Sequence, residues 1–241
     1  MNIIQVNELT KNFKFKEYSS LFEYLHLTIK RKPVDRKLEV LKNVSFQIKK
    51  NSYVGLLGKN GSGKSTLIKI LEGVSPATSG EIEIKGSLNS LIELGVGFND
   101  ELIAIDNIYL YGSLLGLKKK LITDKIHKII SFAGLNGYEY IHLKKFSSGM
   151  KARLAFSVLS LKKADILLID EVFAVGDKSF EKKCLAYFNK FKQKRGTVLL
   201  ATHNLELVKH VCDEVLVLHK GRLKQFKSVE EGIKFYLSTS D

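Results

Sequence analysis

The chain has 241 residues, 44% of them apolar, which suits one globular unit with a sizeable core and is ordinary for a soluble protein. No run approaches the roughly 18 apolar residues needed to cross a bilayer. The first sixteen residues lack an apolar signal-peptide core, so the expectation is a chain made and kept in the cytosol. Lys and Arg number 39 against 25 Asp and Glu, a formal net charge of +14. Eleven basic and four acidic residues fall between Lys11 and Lys50, a local net of +7. Three readings of that excess stand: a solvated face, which is the ordinary outcome, a surface facing anionic lipid, or contact with an anionic ligand or nucleic acid. No recognisable nucleic-acid module accompanies the charge. Cys184 and Cys212 have no Cys-x-x-Cys or Cys-x-x-His spacing, so they read as idle thiols rather than a zinc site.

Along the chain, short β-branched runs alternate with longer helical patterns. A strand is predicted at 3–6. Residues 16–38 follow no single period: Leu21, Leu25 and Ile29 have helical i, i+4 spacing and lead into Lys30, Arg31 and Lys32. Core packing and docking on a membrane or partner are both open for that stretch. Strands follow at 40–48 and 53–57, a helix at 64–71 and a strand at 81–84. Residues 100–164 read as almost purely helical, with helices at 106–115, 123–133 and 148–161. The chain then returns to alternation: strand 166–169, helix 180–192, strand 198–201, helix 205–211, strand 214–218. This order argues for an α/β sheet protein with a helical subdomain inserted between strands. Pro33 and Pro76 are the only prolines, and there is no internal repeat or low-complexity linker.

Gly58, Lys59, Asn60, Gly61, Ser62, Gly63, Lys64, Ser65 and Thr66 fit G-x-x-x-x-G-K-[ST], between a predicted strand and a predicted helix. The chemistry requires these residue types. Glycines let the backbone curl so that successive N–H groups face phosphate oxygens. Lys64 adds a point charge near the β and γ phosphates, and Ser65 offers a hydroxyl to Mg²⁺. The helix N-terminus contributes its positive pole. A glycine-rich turn without a ligand is the competing reading, and the strand–loop–helix context argues against it.

The run 166–169 ends in Asp170 and Glu171. A carboxylate at a strand's end can hold Mg²⁺, and its neighbour can accept a proton from an attacking water. Many strands end this way, so the pair gains weight only beside the phosphate loop. His203 follows another apolar run, where it can reach a γ phosphate and hold the water; a structural histidine is the alternative.

These motifs, in this order, resemble the ABC transporter ATPases. The segment Phe146-Ser147-Ser148-Gly149-Met150 stands where that family has its Leu-Ser-Gly-Gly-Gln signature, and Asp177 stands at its D-loop. The resemblance implies a P-loop NTPase: a RecA-like mixed sheet flanked by helices, with an N-terminal antiparallel β part. Residues 1–99 and 165–241 would form the core and 100–164 the helical subdomain. It also implies ATP and Mg²⁺ as cofactors and a homodimer in which two chains sandwich two ATP molecules. ATP binding closes that dimer and hydrolysis reopens it. Ser147 and Gly149 then act on the partner copy's nucleotide, Asp177 contacts the opposite subunit, and two copies of a separate integral-membrane permease complete the complex at the cytoplasmic face of the membrane.

The wording of the motifs narrows the resemblance. Phe146 to Arg153 reads FSSGMKAR, Leu94 to Leu102 reads LGVGFNDEL ahead of Asp106 and Asn107, and Glu171 to Asp177 reads EVFAVGD. These look like the ATPase subunits that export O-antigen, capsular polysaccharide and teichoic acid, which makes a lipid-linked glycan a further partner. Two departures stand out. No Gln occurs between Ser52 and Gln193, so the family's Mg²⁺-sensing Gln is absent, and Asn99 or Glu93 are the candidates for its place. The adenine-stacking aromatic of the family falls near the end of the first strand, where Phe13 is the first choice and Phe15 or Tyr18 the next. Some O-antigen exporters append a glycan-binding β domain beyond the equivalent of Leu237. The expectation here is transport of capsule, teichoic acid or an unmodified O-antigen. A transporter for another substrate is the nearer rival. A non-transport ATPase on ribosomes or nucleic acid is favoured by the charge alone, and a small-molecule kinase leaves Ser147 to Met150 unexplained.

Overall fold

A computed structural model describes residues 1–16, 35–90, 95–170 and 178–239. The chain divides into two compact units, Met1–Lys85 with Ala201–Asp241, and Gly86–Leu200.

In the first unit, β1 (Asn2–Lys16) lies between β2 (Asp35–Lys49) and β4 (Ser79–Ile84), antiparallel to both. Alternation makes this sheet: Val44, Phe46 and Ile48 are buried while Asn43, Ser45 and Gln47 are exposed. The strand β3 (Tyr53–Leu57) is buried at all five positions and runs parallel to β8 (Glu214–His219), which pairs antiparallel with β9 (Arg222–Phe226). A short continuous apolar run is what a strand covered on both faces needs. Among the described residues of this unit are three helices: α1 (Lys64–Leu71), α6 (Leu205–Val211) and α7 (Val229–Ser238). An added Cβ on Gly55 would lie 3.1 Å from Val208 Cγ1, so this glycine lets α6 approach β3.

In the second unit, β5 (Leu88–Ser90) pairs parallel with β6 (Ile166–Asp170), and the N–H of Thr197, which opens β7 (Thr197–Ala201), donates to Asp165 O at 2.9 Å. The described residues between β5 and β6 contain α2 (Ala104–Leu114), α3 (Lys119–Ala133) and α4 (Ser148–Leu159) and no named strand; α5 (Lys178–Gln193) precedes β7. Aromatic rings centre this unit. Phe156 of α4 is 1% exposed and meets Phe180, Tyr187 and Phe188 of α5 edge-on, with centroids 5.5–6.2 Å apart, and stacks on Phe132 at 6.0 Å. Burial pushes the Cys184 thiol up to about 12, with Glu181 adding to it and Lys183 opposing, which makes this thiol the inert one expected.

The expected strands and helices are present where described, and the N-terminal antiparallel part is seen. Elements at 222–226, 229–238 and 88–90 were not anticipated. The segment 17–34, with the Leu21–Leu25–Ile29 spacing, lies outside the described residues.

Candidate nucleotide site

The loop after β3 is built by its glycines. Gly61 (φ 78°) and Gly63 (φ 108°) take the left-handed region that other residues avoid. A Cβ on Gly58 would stand 2.5 Å from both Leu218 O and Ser62 Oγ, so the loop closes only with glycine there. Gly63 is the N-cap of α1 and has no side-chain cap, which leaves the first-turn N–H groups directed at the loop. The first turn carries no acidic residue. Lys64 is 7% exposed, and its ammonium arches back over the loop to donate to Gly58 O at 2.5 Å and Lys59 O at 3.2 Å. Ser62 Oγ is buried with no protein hydrogen-bond partner. A left-handed glycine cradle, a buried cation and an unpartnered hydroxyl at a positive helix pole fit a chain of phosphates.

Ser65, exposed in the first turn of α1, and Asp170, half-buried at the C-terminal end of β6, are hard oxygen donors of the kind Mg²⁺ takes. Among the described residues no group of three or more His, Cys, Asp or Glu could hold a metal alone. The Mg²⁺ reading therefore relies on few protein oxygens plus phosphate, the ordinary pattern for this ion. Asp170 is aligned from the strand's far end, where Asp165 Oδ2 accepts from Ser87 N at 2.8 Å and Ser87 Oγ at 2.7 Å. Glu171 and Asp177 lie outside the described residues, as do Glu93 and Tyr18. His203 is exposed between two anchored neighbours: Asn204 N donates to Thr202 Oγ1 at 3.1 Å, and Asn204 Oδ1 caps α6 through Leu207 N at 3.0 Å.

Phe13 is 37% exposed and stands across β1–β2 from Leu38, which is 53% exposed. Lys11 pairs with Leu41 and Asn12 with Glu39, so Val40 is a bulge. The bulge turns Val40 and Leu41 both toward Gly63, whose added Cβ would lie 3.2 Å from Val40 Cγ1 and 3.0 Å from Leu41 Cδ2. One strand face therefore runs from Phe13 and Leu38 through Val40 to the phosphate loop. At about 3.3 Å per residue, Leu38 is roughly 7 Å along β2 from Val40, a spacing suited to a base whose phosphates sit in the loop. Leu38 is the neighbour that sequence reasoning missed; its alternation with Val40 was the available signal.

In the second unit, Ser147 caps α4, its Oγ accepting from Met150 N at 3.2 Å, and both Ser147 and Ser148 are exposed. A Cβ on Gly149 would meet nothing nearer than Ser147 Oγ at 3.9 Å, so this helix start is open to a ligand. Residues 143–151 are clamped to the turn at 99–102. Leu143 N donates to Leu102 O and Lys144 N to Asp100 O, both at 3.0 Å. Lys144 pairs with Glu101 at 2.6 Å and Lys151 with Asp100 at 2.5 Å. The same turn hangs on α2, where Asn107, fully buried, accepts from Asn99 N at 2.7 Å and donates to Asn99 O, Leu102 O and Ile103 O. Asn99 Oδ1 is engaged by Glu101 N at 2.9 Å. One turn on, burial raises the Tyr111 phenol pKa, opposed by a hydrogen bond with the Gly95 main chain. Asn107→Ala is expected to destabilise the chain by about 2–3 kcal/mol, because it strands buried backbone groups. Urea unfolding with an unchanged slope measures it; a midpoint equal to wild type would show the turn held by other bonds.

A glycine-cradled phosphate loop on an α/β scaffold is that of a P-loop NTPase. Comparison with known proteins gives the branch. The ABC transporter family model matches residues 41–174. The O-antigen export system ATP-binding protein RfbB of Klebsiella pneumoniae is 41% identical over 201 residues, 83% of this chain and 82% of that one. The teichoic acids export ATP-binding protein TagH of Bacillus anthracis is 38% identical over 97% of this chain, which spans 42% of that protein's length. A solved ATP-binding subunit of an ABC transporter superposes with a TM-score of 0.75 at 23% identity, covering 99% of this chain and 95% of that one. An ATP-binding cassette dimer in a post-hydrolysis state with ADP and Pi gives 0.74 at 19% identity, covering 93% and 98%. The chain belongs to the ABC transporter family, as an ATP-binding and ATP-hydrolysing member.

Proposed function

We propose that this chain is the ATPase subunit of a transporter that exports a lipid-linked polysaccharide of the O-antigen, capsule or teichoic acid kind. The carrying observation is 41% identity over 83% of the chain to an O-antigen export ATPase, with teichoic acid export ATPases beside it. Two copies act as a homodimer with two copies of a membrane permease, at the cytoplasmic face. Among the described residues no helix is long and apolar enough to cross a membrane, so the reading assigns the spanning path to that permease. Residues 1–99 and 165–241 serve as the core and 100–164 as the helical subdomain.

Within each site, Gly58 to Thr66 hold the phosphates, and the Lys64 ammonium stabilises charge on them. Ser65 and Asp170 would hold Mg²⁺, which when bound offsets phosphate charge. Glu171 orients and deprotonates water, and His203 positions it. Ser147 and Gly149 come from the second copy, as does the Asp177 contact. Phe13 carries the base, and Asn99 or Glu93 takes the place of the missing Gln. Deleting the gene is expected to trap lipid-linked glycan inside the cell, with export restored by the wild-type gene and not by a Lys64→Ala copy. Surface glycan at wild-type level in the deletion strain would refute the substrate class.

A further inference from the structure

Lys11 is 8% exposed, although its strand runs on into the exposed Phe13 and Phe15. Its ammonium has two described contacts. It donates to Pro76 O at 2.6 Å, in the turn between α1 and β4, and lies 4.9 Å from the centroid of the Phe13 ring. Lys11 and Phe13 are two apart on β1 and share the face that leads to Gly63. The lysine therefore covers one side of the ring, and the exposure of Phe13 is what remains.

The geometry points to Lys11 as the positioning residue of the base-stacking platform, an inference that rests on the reading of Phe13 as the residue that carries adenine. Two effects follow from one charge. The ammonium fixes the tilt of Phe13 and ties it to the turn that follows the phosphate-binding helix. It also draws π density toward itself, so the far face of the ring is less negative. An electron-rich purine stacks better on such a face, because aromatic pairs follow their quadrupoles. A lysine that only satisfied Pro76 O would have no effect dependent on the base.

The test is equilibrium binding of ATP and of inorganic tripolyphosphate to the purified chain. Lys11→Met is expected to weaken ATP about fivefold and to leave tripolyphosphate unchanged. Lys11→Arg is expected to stay within about twofold of wild type, since it keeps a cation over the ring. Phe13→Leu is expected to weaken ATP about tenfold, with Lys11→Met adding nothing in the double variant. Equal losses for both ligands, or additive losses for ATP, would reduce Lys11 to a structural role and overturn the inference. If Phe13→Leu weakens ATP and Lys11→Met does not, the platform stands and the role of Lys11 falls. If Phe13→Leu leaves ATP binding intact, the platform itself is wrong. Should Lys11→Met fail to fold, Lys11→Gln, whose amide can still donate, is judged by the same criteria.

Discussion

Replacing Glu171 by Gln is expected to leave ATP affinity within about threefold of wild type while lowering turnover by about 10²-fold or more, the range for loss of a general base. The expectation starts from the strand before it. Ile166, Leu167, Leu168 and Ile169 are at most 1% exposed, and Leu88, Asn89 and Ser90 pair with the first three, so β6 is held against sliding. A one-residue slip would exchange its faces. Asp165 anchors one end on Ser87, and Asp170 emerges at the carboxyl end, where ligands bind in open α/β sheets. Gln keeps the shape and loses the basic oxygen, so binding and hydrolysis separate. ATPase assays on the permease-bound complex, with binding measured in parallel, decide it. Hydrolysis near the wild-type rate would remove Glu171 from the role of base.

Much of this was legible in the residues because the signals are local. The phosphate loop needs glycine, lysine and a hydroxyl at fixed spacing, and the structure shows why: Gly58 has no room for a Cβ, and Gly61 and Gly63 sit at positive φ. Continuous aliphatic runs gave β3, β6 and β7. Other elements carried signals that went unread. Lys220 and Gly221 both have positive φ and close a two-residue hairpin onto β9, a turn that flanking alternation announces. Ser228 and Glu231 have capping-box spacing, and Glu231 N donates to Ser228 Oγ at 3.3 Å at the start of α7. Glu230 beside them is held below the usual carboxylate range by its main-chain and Ser228 hydrogen bonds. The clamp between 99–102 and 142–151 was not legible at all. Its ion pairs join residues about forty to fifty apart, and no period in the sequence links Asp100 to Lys151. The face that carries Phe13 depends on a bulge at Val40, which a strict alternation misplaces by one residue.

Lys64→Ala is expected to lower ATP affinity by at least about 100-fold, equivalent to roughly 3 kcal/mol, and to abolish measurable turnover. Lys64 is 7% exposed, and two of its contacts are the carbonyls of Gly58 and Lys59. Neutral carbonyls recover only part of the cost of withdrawing an ammonium from water. Phosphate oxygens recover more, through shorter charge-assisted bonds. Phosphate oxygens therefore gain more from this ammonium than those two carbonyls do. The Lys64→Ala chain is expected to stay folded, with a melting temperature close to wild type in the absence of nucleotide. Arginine should not substitute, because a planar fork cannot follow the curl that brings Nζ back over the loop. Calorimetric titration with ATP, alongside thermal melting, measures both halves of the argument. A Lys64→Ala chain that binds ATP within threefold of wild type would mean that the loop amides and the pole of α1 carry the phosphates alone. A chain that fails to fold would mean that the contacts of Lys64 hold the loop as well as its ligand.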